Sequence, residues 1–600
     1  MANTKVGGRW VFDLESDGLL DTITKIHCIV LRHMETGEVK AFGPDEINDA
    51  LYLLTMAEEV CGHNVIAYDI PALQKIYPGF TVMGKVTDTL VMSRLIRTTL
   101  AEDDAVLSVK NPEHFPRKLI GSHGLKAWGL RLSAMLGDDH RKGDYDGGWE
   151  NYSQAMMDYC ILDTEVTKTL YDHLCTFGFS QESLDLEHSM AEVCLRIGNN
   201  GWTFDKKKAI ALYSELCQVR EELQNELDDL FPPWEVTEEF IPKSNNKTRG
   251  YIKGEVFIKR NLVQFNPGSR RHIEKCLRDK YKWKPKKFTA TGHAMIDETV
   301  LGGLPYPEAQ QLAKFFLVQK RIGQLAEGPA AWLKKVDDDG KIRHTIIVGG
   351  TISGRAAHRG PNLAGVPKGG LLYGRQCREL FKAPEGWLVT GVDLSGLELR
   401  MLANFLDDGG EYARQILEGD IHQYNADAIK GSRDQAKRFI YSLLFGAGDQ
   451  LIGKIVGGSA KEGKALKAAF YANVPAFAKL QSNLKRAAQR GYLVGLCGRK
   501  LYIREERKLL SQLLQSSGGV ICKKWVQLTD AEITRHYGPD EAYTMAWVHD
   551  EQQIACKTQE IAEHVREIAI RMAGETGRHF KTKIVIDASG CVAESWADSH

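Results

Sequence analysis

Six hundred residues are too many for one hydrophobic core, so three or more domains are expected. Hydrophobic content of 43% and charged content of 26% are ordinary for a globular chain, and no apolar run is long enough to span a membrane. The net charge is zero, which at first argues against a nucleic-acid partner. Twelve scattered cysteines without a Cys-x-x-Cys pair exclude a zinc cluster or a disulfide framework. With Met1-Ala-Asn-Thr-Lys-Val-Gly-Gly free of a signal-peptide pattern, a reduced, cytoplasmic protein is expected.

The first 175 residues alternate strands with helices, as in a mixed α/β domain. Arg9-Trp-Val-Phe-Asp and Ile26-His-Cys-Ile-Val-Leu read as strands, and Ala155 to Leu174 as a helix. Strand side chains alternate with period two, so Asp13 and Glu15 point to one side at a strand end. His63-Asn-Val-Ile-Ala-Tyr-Asp69 supplies a third acid. Tyr159-Cys-Ile-Leu-Asp163 supplies a fourth, with a tyrosine one helical turn before it. Four acids bracketing one pocket would hold two divalent ions, and Tyr159 would orient an attacking water. Singly each signal is weak, because Asp-x-Glu is common on protein surfaces.

A charged helical region follows from about Glu187 to Leu230, broken by Phe231-Pro-Pro-Trp234. Between Pro242 and Lys287 fifteen Lys or Arg stand against three acids. A local basic surface of this kind meets a polyanion whatever the chain's total charge; a solvated loop is the bland alternative. Helical sequence resumes near Ser269 and again from Glu308 to Lys335.

Farther on, Trp387-Leu-Val-Thr-Gly-Val-Asp393 and Ala546-Trp-Val-His-Asp550-Glu551 are β-prone runs that end in carboxylates. An Asp at the end of a buried strand is costly unless it meets a cation. Side by side, Asp393 and Asp550 would repel and call for metal, and hard oxygen ligands with open positions suit Mg²⁺. Such a site can activate an attacking hydroxyl and stabilise a leaving pyrophosphate. Between the two runs, Arg433, Lys437, Tyr441 and Phe445 recur every four residues, putting two cations and then two rings on one helical stripe. Phe439, Ile440, Leu443 and Leu444 are left to pack against the protein. The stripe suits a nucleoside triphosphate; an amphipathic helix with solvated cations is the alternative.

The order Asp-x-Ser-x-x-Glu-Leu-Arg, Arg-x-x-x-Lys-x-x-x-Tyr and His-Asp-Glu resembles motifs A, B and C of the DNA polymerase I family, family A. The likeness covers nearly the full length and is nearest to the replicative polymerases of T-seven-like bacteriophages. It takes in Gly419-Asp-Ile-His422, Leu513-Leu-Gln515-Ser, Gln319-Lys-Arg-Ile-Gly-Gln and a chain ending in His600. The N-terminal acids resemble the three motifs of the DEDD proofreading exonucleases, in their Tyr-containing subtype.

The resemblance implies an α/β multidomain protein. A ribonuclease H-like exonuclease domain would occupy residues 1–180. Residues 181–345 would form a thumb and basic DNA-binding region with a shortened insertion near 231–265, and residues 346–600 the palm and fingers of a right-hand polymerase, with fingers at about 410–495. The implied activity is DNA-templated DNA synthesis from a primer by two-metal phosphoryl transfer, with 3′–5′ proofreading. Asp393 and Asp550 would be metal ligands and Glu551 a supporting acid; Asp13, Glu15, Asp69 and Asp163 would hold the nuclease metals. Two Mg²⁺ are implied at each site, with Mn²⁺ as a substitute. His422, Arg433 and Lys437 would contact the triphosphate, and Lys437 would also protonate the leaving group. Tyr441 and Phe445 would flank the nucleotide, and Glu398 would fill the space of a ribose 2′-OH. Arg355, Gln515, His549, Lys320 and Arg321 would touch the DNA; minor-groove acceptors occur on every base pair, so contacts there test pairing geometry.

Implied partners are primer-template DNA, deoxynucleoside triphosphates and a helicase-primase reached through the tail at His600, for a monomer in a bacterial host's cytoplasm. Tyr441 in place of phenylalanine implies ready use of dideoxynucleotides. Phe445 replaces a more usual tyrosine, which leaves the Glu398 gate less fixed, and Ser353 replaces a more usual threonine. The short segment between Phe231 and Phe265 argues against thioredoxin as processivity factor. Two other readings compete. Glu398 and the complete nuclease set oppose a single-subunit RNA polymerase. The presence of both Asp393 and Asp550 opposes a repair nuclease with a non-catalytic polymerase half.

Overall fold

The computed structural model describes residues 7–137, 140, 145–289 and 291–599. His600 and the first six residues, on which the tail and signal-peptide readings rest, lie outside the described residues. The chain forms two compact units. One is built from the described residues up to Trp202, Arg343–Gly365 and the stretch from Lys382 onward; the other comprises Thr203–Ile342 and Val366–Phe381.

The first unit contains two large sheets, besides two-stranded pairs. In the N-terminal sheet the strands lie in the order Val39–Phe42, Ile26–His33, Arg9–Ser16, Glu59–Gly62, Lys85–Asp88. The first three pair antiparallel and the last two join in parallel. Alternation divides the central strand. Trp10, Phe12 and Leu14 enter a core with Ile29, Leu54 and Val60, and Asp13 and Glu15 take the other face. The helix Gln154–Cys175, capped by Ser153, packs across Arg9–Ser16 and Ile26–His33.

The second sheet is wholly antiparallel, in the order Ala542–Val548, Glu551–Cys556, Leu388–Leu394, Ala588–Ala593. The helices Leu509–His536 and Gln559–His579 pack together, and the latter lies against Leu388–Leu394. Gly391 has no side chain for a reason of space: a Cβ there would meet the Ser599 carbonyl oxygen at 1.9 Å. A run of helices, Ile421–Ile429, Arg433–Leu444, Asp449–Ile455, Ala460–Asn473 and Pro475–Ala488, connects the two halves of this sheet in sequence. Phe439, Phe470 and Phe477 stack edge to face among them, fully buried.

In the second unit the helix Lys206–Leu230 packs on Pro307–Ile322. The structure corrects two expectations. The charged region from Glu187 to Leu230 is two helices, Gln181–Asn200 and Lys206–Leu230, because Gly201 adopts φ +61° and Trp202 turns inward. The basic stretch is no loop either. Trp234–Phe240 pairs with Phe257–Val263 in an antiparallel ribbon, closed at its base by Phe231 against Phe265, ring centroids 4.6 Å apart. The helix Arg270–Tyr281 that follows buries Ile273 and Leu277 and turns its basic residues outward.

Candidate functional site

The carboxylates of the palm-like sheet come together by strand register. Asp393 stands opposite Glu551, and the Leu394 N–H donates to the Asp550 carbonyl at 3.0 Å. A two-residue turn, His549-Asp550, joins the strands, with His549 at φ +59°, so Asp550 falls beside the end of the Asp393 strand. Both acids are half-buried. Beneath them lies Cys522, which no sequence motif singled out. Burial pushes its thiol far above the usual range; Asp550, Glu398 and Asp393 raise it further, and Arg355 opposes them. One buried sulfur thus senses all four charged groups. Glu551 is turned inward and accepts hydrogen bonds from the Gln553 amide and the Trp596 indole.

Arg355 reaches Glu398, Nη2 to Oε1 3.5 Å, and packs over Gly519 on the same helix as Gln515. Its loop is tethered from below. Lys523 donates to the Gly354 carbonyl at 2.8 Å and to Glu187, which also accepts from Arg499 at 2.7 Å. Glu187 and Lys523 are 3% and 0% exposed at their side chains. Burial works against the Glu187 charge, but Lys523 and Arg499 outweigh it and hold the carboxyl below its usual range. This cluster was invisible in the sequence, since Glu187 lies more than 300 residues from both Arg499 and Lys523.

The stripe predicted on Arg433–Leu444 is present. Ser432 and Gln435 form a capping box, Ala436, Phe439, Ile440, Leu443 and Leu444 are buried, and Arg433 and Lys437 are exposed. Arg433 Nε donates to Asp420 at 2.7 Å, and Asp420 caps the helix that carries His422 by accepting its N–H. Burial first, then the charges of Arg433 and Lys437, lower the His422 pKa, so these three groups converge. The Tyr441 ring lies 6.4 Å from that of His422. Burial and the Glu398 charge raise the Tyr441 hydroxyl pKa, which puts this carboxylate near the phenol. Phe445 ends the helix and is 46% exposed.

The N-terminal acids converge as well. The Arg9–Ser16 strand ends in a bulge between Glu15 and Ser16. Asp69 opens a helix and is 4% exposed; burial and then the charge of Asp13 raise its carboxyl well above the usual range. Asp163 and Tyr159 lie on Gln154–Cys175, together with Cys160, whose thiol donates to Asp13 at 3.5 Å. Atoms of Asp13, Glu15 and Cys160 lie within 4.8 Å of one another. Crowded oxygens of like charge fit a hard divalent cation. Cys160 was missed, although its spacing from Asp163 puts both on one helical face. Asp88 supports the site by accepting from the N–H groups of Asn64 and Ile66, which shapes the loop leading into Asp69.

Lys320 and Arg321 lie in the second unit. Lys320 is exposed and 3.8 Å from Glu298. Arg321 corrects an expectation: proposed to touch DNA, it is 5% exposed and donates to Gln324, because its turn of the helix faces the core with Val318 and Ile322.

Against known proteins, the model of the family described as DNA polymerase family A matches residues 243–598. The chain is 35% identical over 706 residues to the DNA-directed DNA polymerase of Enterobacteria phage T3, covering 98% of this chain and all of that one. It is 35% identical over 708 residues to that of Escherichia phage T7, with the same coverage. These aligned lengths exceed the 600 residues present, so both relatives carry segments that this chain lacks. Among solved structures, the polymerase domain of Pol1 from M. smegmatis, in complex with DNA primer-template and dNTP, superposes with a TM-score of 0.73 over 98% of this chain and 95% of that one. At 17% identity this likeness speaks for the fold alone. The chain therefore belongs to DNA polymerase family A and is a DNA-directed DNA polymerase similar to those of phages T3 and T7.

Proposed function

We propose that the chain extends a primer by phosphoryl transfer at Asp393 and Asp550 and removes mismatched 3′ ends at a separate ribonuclease H-like nuclease centre formed by Asp13, Glu15, Asp69 and Asp163. The observation that carries the first half is the strand register that sets Asp393 opposite Glu551 and beside the Asp550 turn, with Arg355 3.5 Å from Glu398. The crowding of Asp69 against Asp13 supports the second. Mg²⁺ held by the acids at each centre would activate the attacking oxygen and offset charge on the leaving group. His422, Arg433 and Lys437 hold the triphosphate, and Arg433 exchanges Asp420 for a phosphate oxygen as the nucleotide binds. Lys437 donates a proton to the departing pyrophosphate. Glu398 excludes a 2′-OH, while Arg355, Gln515 and His549 follow the primer-template end. Tyr159 orients the hydrolytic water.

Family membership favours deoxynucleotide synthesis over the RNA polymerase reading. Residues 1–180, 181–345 and 346–600 serve as nuclease, thumb and palm with fingers. The partners are primer-template DNA and deoxynucleoside triphosphates. The protein acts as a monomer in the host cytoplasm, with a helicase-primase as a further partner. The ribbon at 234–263 grips duplex DNA without thioredoxin.

The test is extension of a labelled primer-template with Mg²⁺ by wild type, Asp550→Ala and Asp13→Ala/Glu15→Ala. Extension is lost only in the first variant and primer degradation only in the second. Degradation without extension in the wild type would instead favour a nuclease with a non-catalytic polymerase half.

A further inference from the structure

A cavity of about 320 Å³ lies in the first unit, outside both acid centres. Its walls come from the loop at Asn64–Tyr68, the helix Thr89–Ile96, the end of the helix Gln181–Asn200 and the strands Thr345–Ile347 and Ala357–Arg359. Its volume is at the low end for small-molecule sites, enough for one small ligand.

The cavity is built around polar groups that lack partners. Arg94 is largely withdrawn from solvent, yet among the described residues it makes no hydrogen bond and no close ion pair. Burial pulls its pKa down, Asp88 opposes this, and the second guanidinium, Arg359, lowers it further. Arg359, exposed at the mouth of the cavity, also lacks a side-chain partner among the described residues. Asp88 is the one carboxylate in the lining, and its oxygens already accept four backbone N–H groups, from Asn64, Ile66, Leu90 and Val91. His344 is 6% exposed, stacks on His358 with ring centroids 5.6 Å apart, and has no hydrogen-bond partner at either ring nitrogen. An unpaired, partly buried guanidinium is expensive, and an uncompensated imidazole beside it adds to the cost. A ligand that supplies an anionic oxygen to Arg94 and an acceptor to the imidazole would remove those costs, and Arg359 at the mouth could hold the same anion. Ile66, Leu90 and Val348 line the remainder and offer an apolar wall.

One wall residue ties the cavity to the proposed nuclease centre. Tyr68 lines it, directly precedes Asp69, and hydrogen-bonds through its hydroxyl to Ser16 and to the Gly18 carbonyl, just beyond Glu15. We propose that this cavity binds the phosphate of a single nucleotide, with Arg94 and Arg359 clasping the phosphate and the base against the apolar wall. The inference rests on the nuclease reading only for the origin of the ligand. Two sources carry this chemistry: the free nucleoside monophosphate that hydrolysis releases, and the phosphodiester of a loose strand end.

The test is calorimetric titration of the full chain in EDTA, where hydrolysis cannot proceed, with thymidine monophosphate and separately with an oligothymidylate of four residues. The expected result is one-to-one binding of the monophosphate, weakened roughly tenfold or more by Arg94→Gln and by Arg359→Gln, the worth of one charge-assisted hydrogen bond. If the oligonucleotide alone shows that dependence, the phosphate site stands and the strand is its source. If neither ligand's affinity responds to either substitution, the proposal is overturned. Circular dichroism of both variants separates lost binding from lost folding. Because the readout is binding without metal, a chain that proves to lack nuclease activity would still give a clear answer.

Discussion

The two acid centres are assembled from the same residue type in opposite ways. In the palm-like sheet, Asp393 and Asp550 sit half-exposed at strand ends, brought together by register and ringed by Glu398 and Arg355. In the N-terminal sheet, Glu15, Asp69 and Asp163 are buried, and burial and a neighbouring charge raise the Asp69 carboxyl. The first centre leaves its charges accessible to solvent and to an incoming polyphosphate. The second concentrates like charge in a low-dielectric pocket, where crowded acids burden the fold. The two sets of acids therefore load the fold differently, and mutation should separate them.

The sharpest break is Asp69→Asn against Asp550→Asn. Each should cost its own reaction on the order of 10²–10³ or more in rate, read from primer degradation and extension. Only Asp69→Asn should also raise stability in EDTA, by about 1 kcal/mol in urea unfolding, because it removes a crowded buried charge. Equal effects of both substitutions on stability would erase the distinction drawn here. Next in size is Glu187→Ala, which leaves Lys523 and Arg499 buried without their counter-charge. Stability should fall by roughly 3–5 kcal/mol in the same assay, and primer-template affinity should fall with it as the Gly354 tether loosens.

The pH dependence of stability sharpens the comparison from another side. Burial lowers His344 from 6.5 to about 3 and His358 to about 4, so both stay neutral in the folded chain. The unfolded chain takes up protons first as pH falls. Stability contributed by their neutrality is complete above pH 6.5 and is lost progressively down to about 3. Between neutrality and mildly acid pH the loss should reach about 2 kcal/mol for His344, and His344→Gln should flatten the profile. Tyr441→Phe should raise discrimination against dideoxynucleotides roughly tenfold, the worth of one hydrogen bond, in competitive incorporation. The smallest effect belongs to Phe445→Tyr. Glu398 already has Arg355 and Tyr441 for neighbours, so ribonucleotide exclusion should tighten only about twofold, the weak end of a single neutral hydrogen bond.

Much of this was legible from local pattern. Period-two alternation put Asp13 and Glu15 on one face, and period-four spacing put Arg433, Lys437 and Tyr441 on one stripe. Where local pattern failed, the cause was specific. Gly201 and Trp202 split a helical stretch that charge alone made continuous. The basic segment hid a ribbon because its apolar residues, Val236, Ile258 and Leu262 among them, are exposed like the polar ones and leave no buried alternation to read. Arg321 belongs to a motif yet turns inward, since only packing decides which side of a helix is covered.

The sequence by itself determined which residues are candidates for chemistry, because acids, cations and rings at short-range spacing are recognised by type and by periodicity. Tertiary structure alone decided what surrounds them. Cys522 beneath the palm acids, Cys160 beside Asp13, the Glu187–Arg499–Lys523 cluster and the cavity at Arg94 all join residues distant in the chain. Burial and electrostatic coupling depend on distance in space, and no local pattern along the chain encodes that distance.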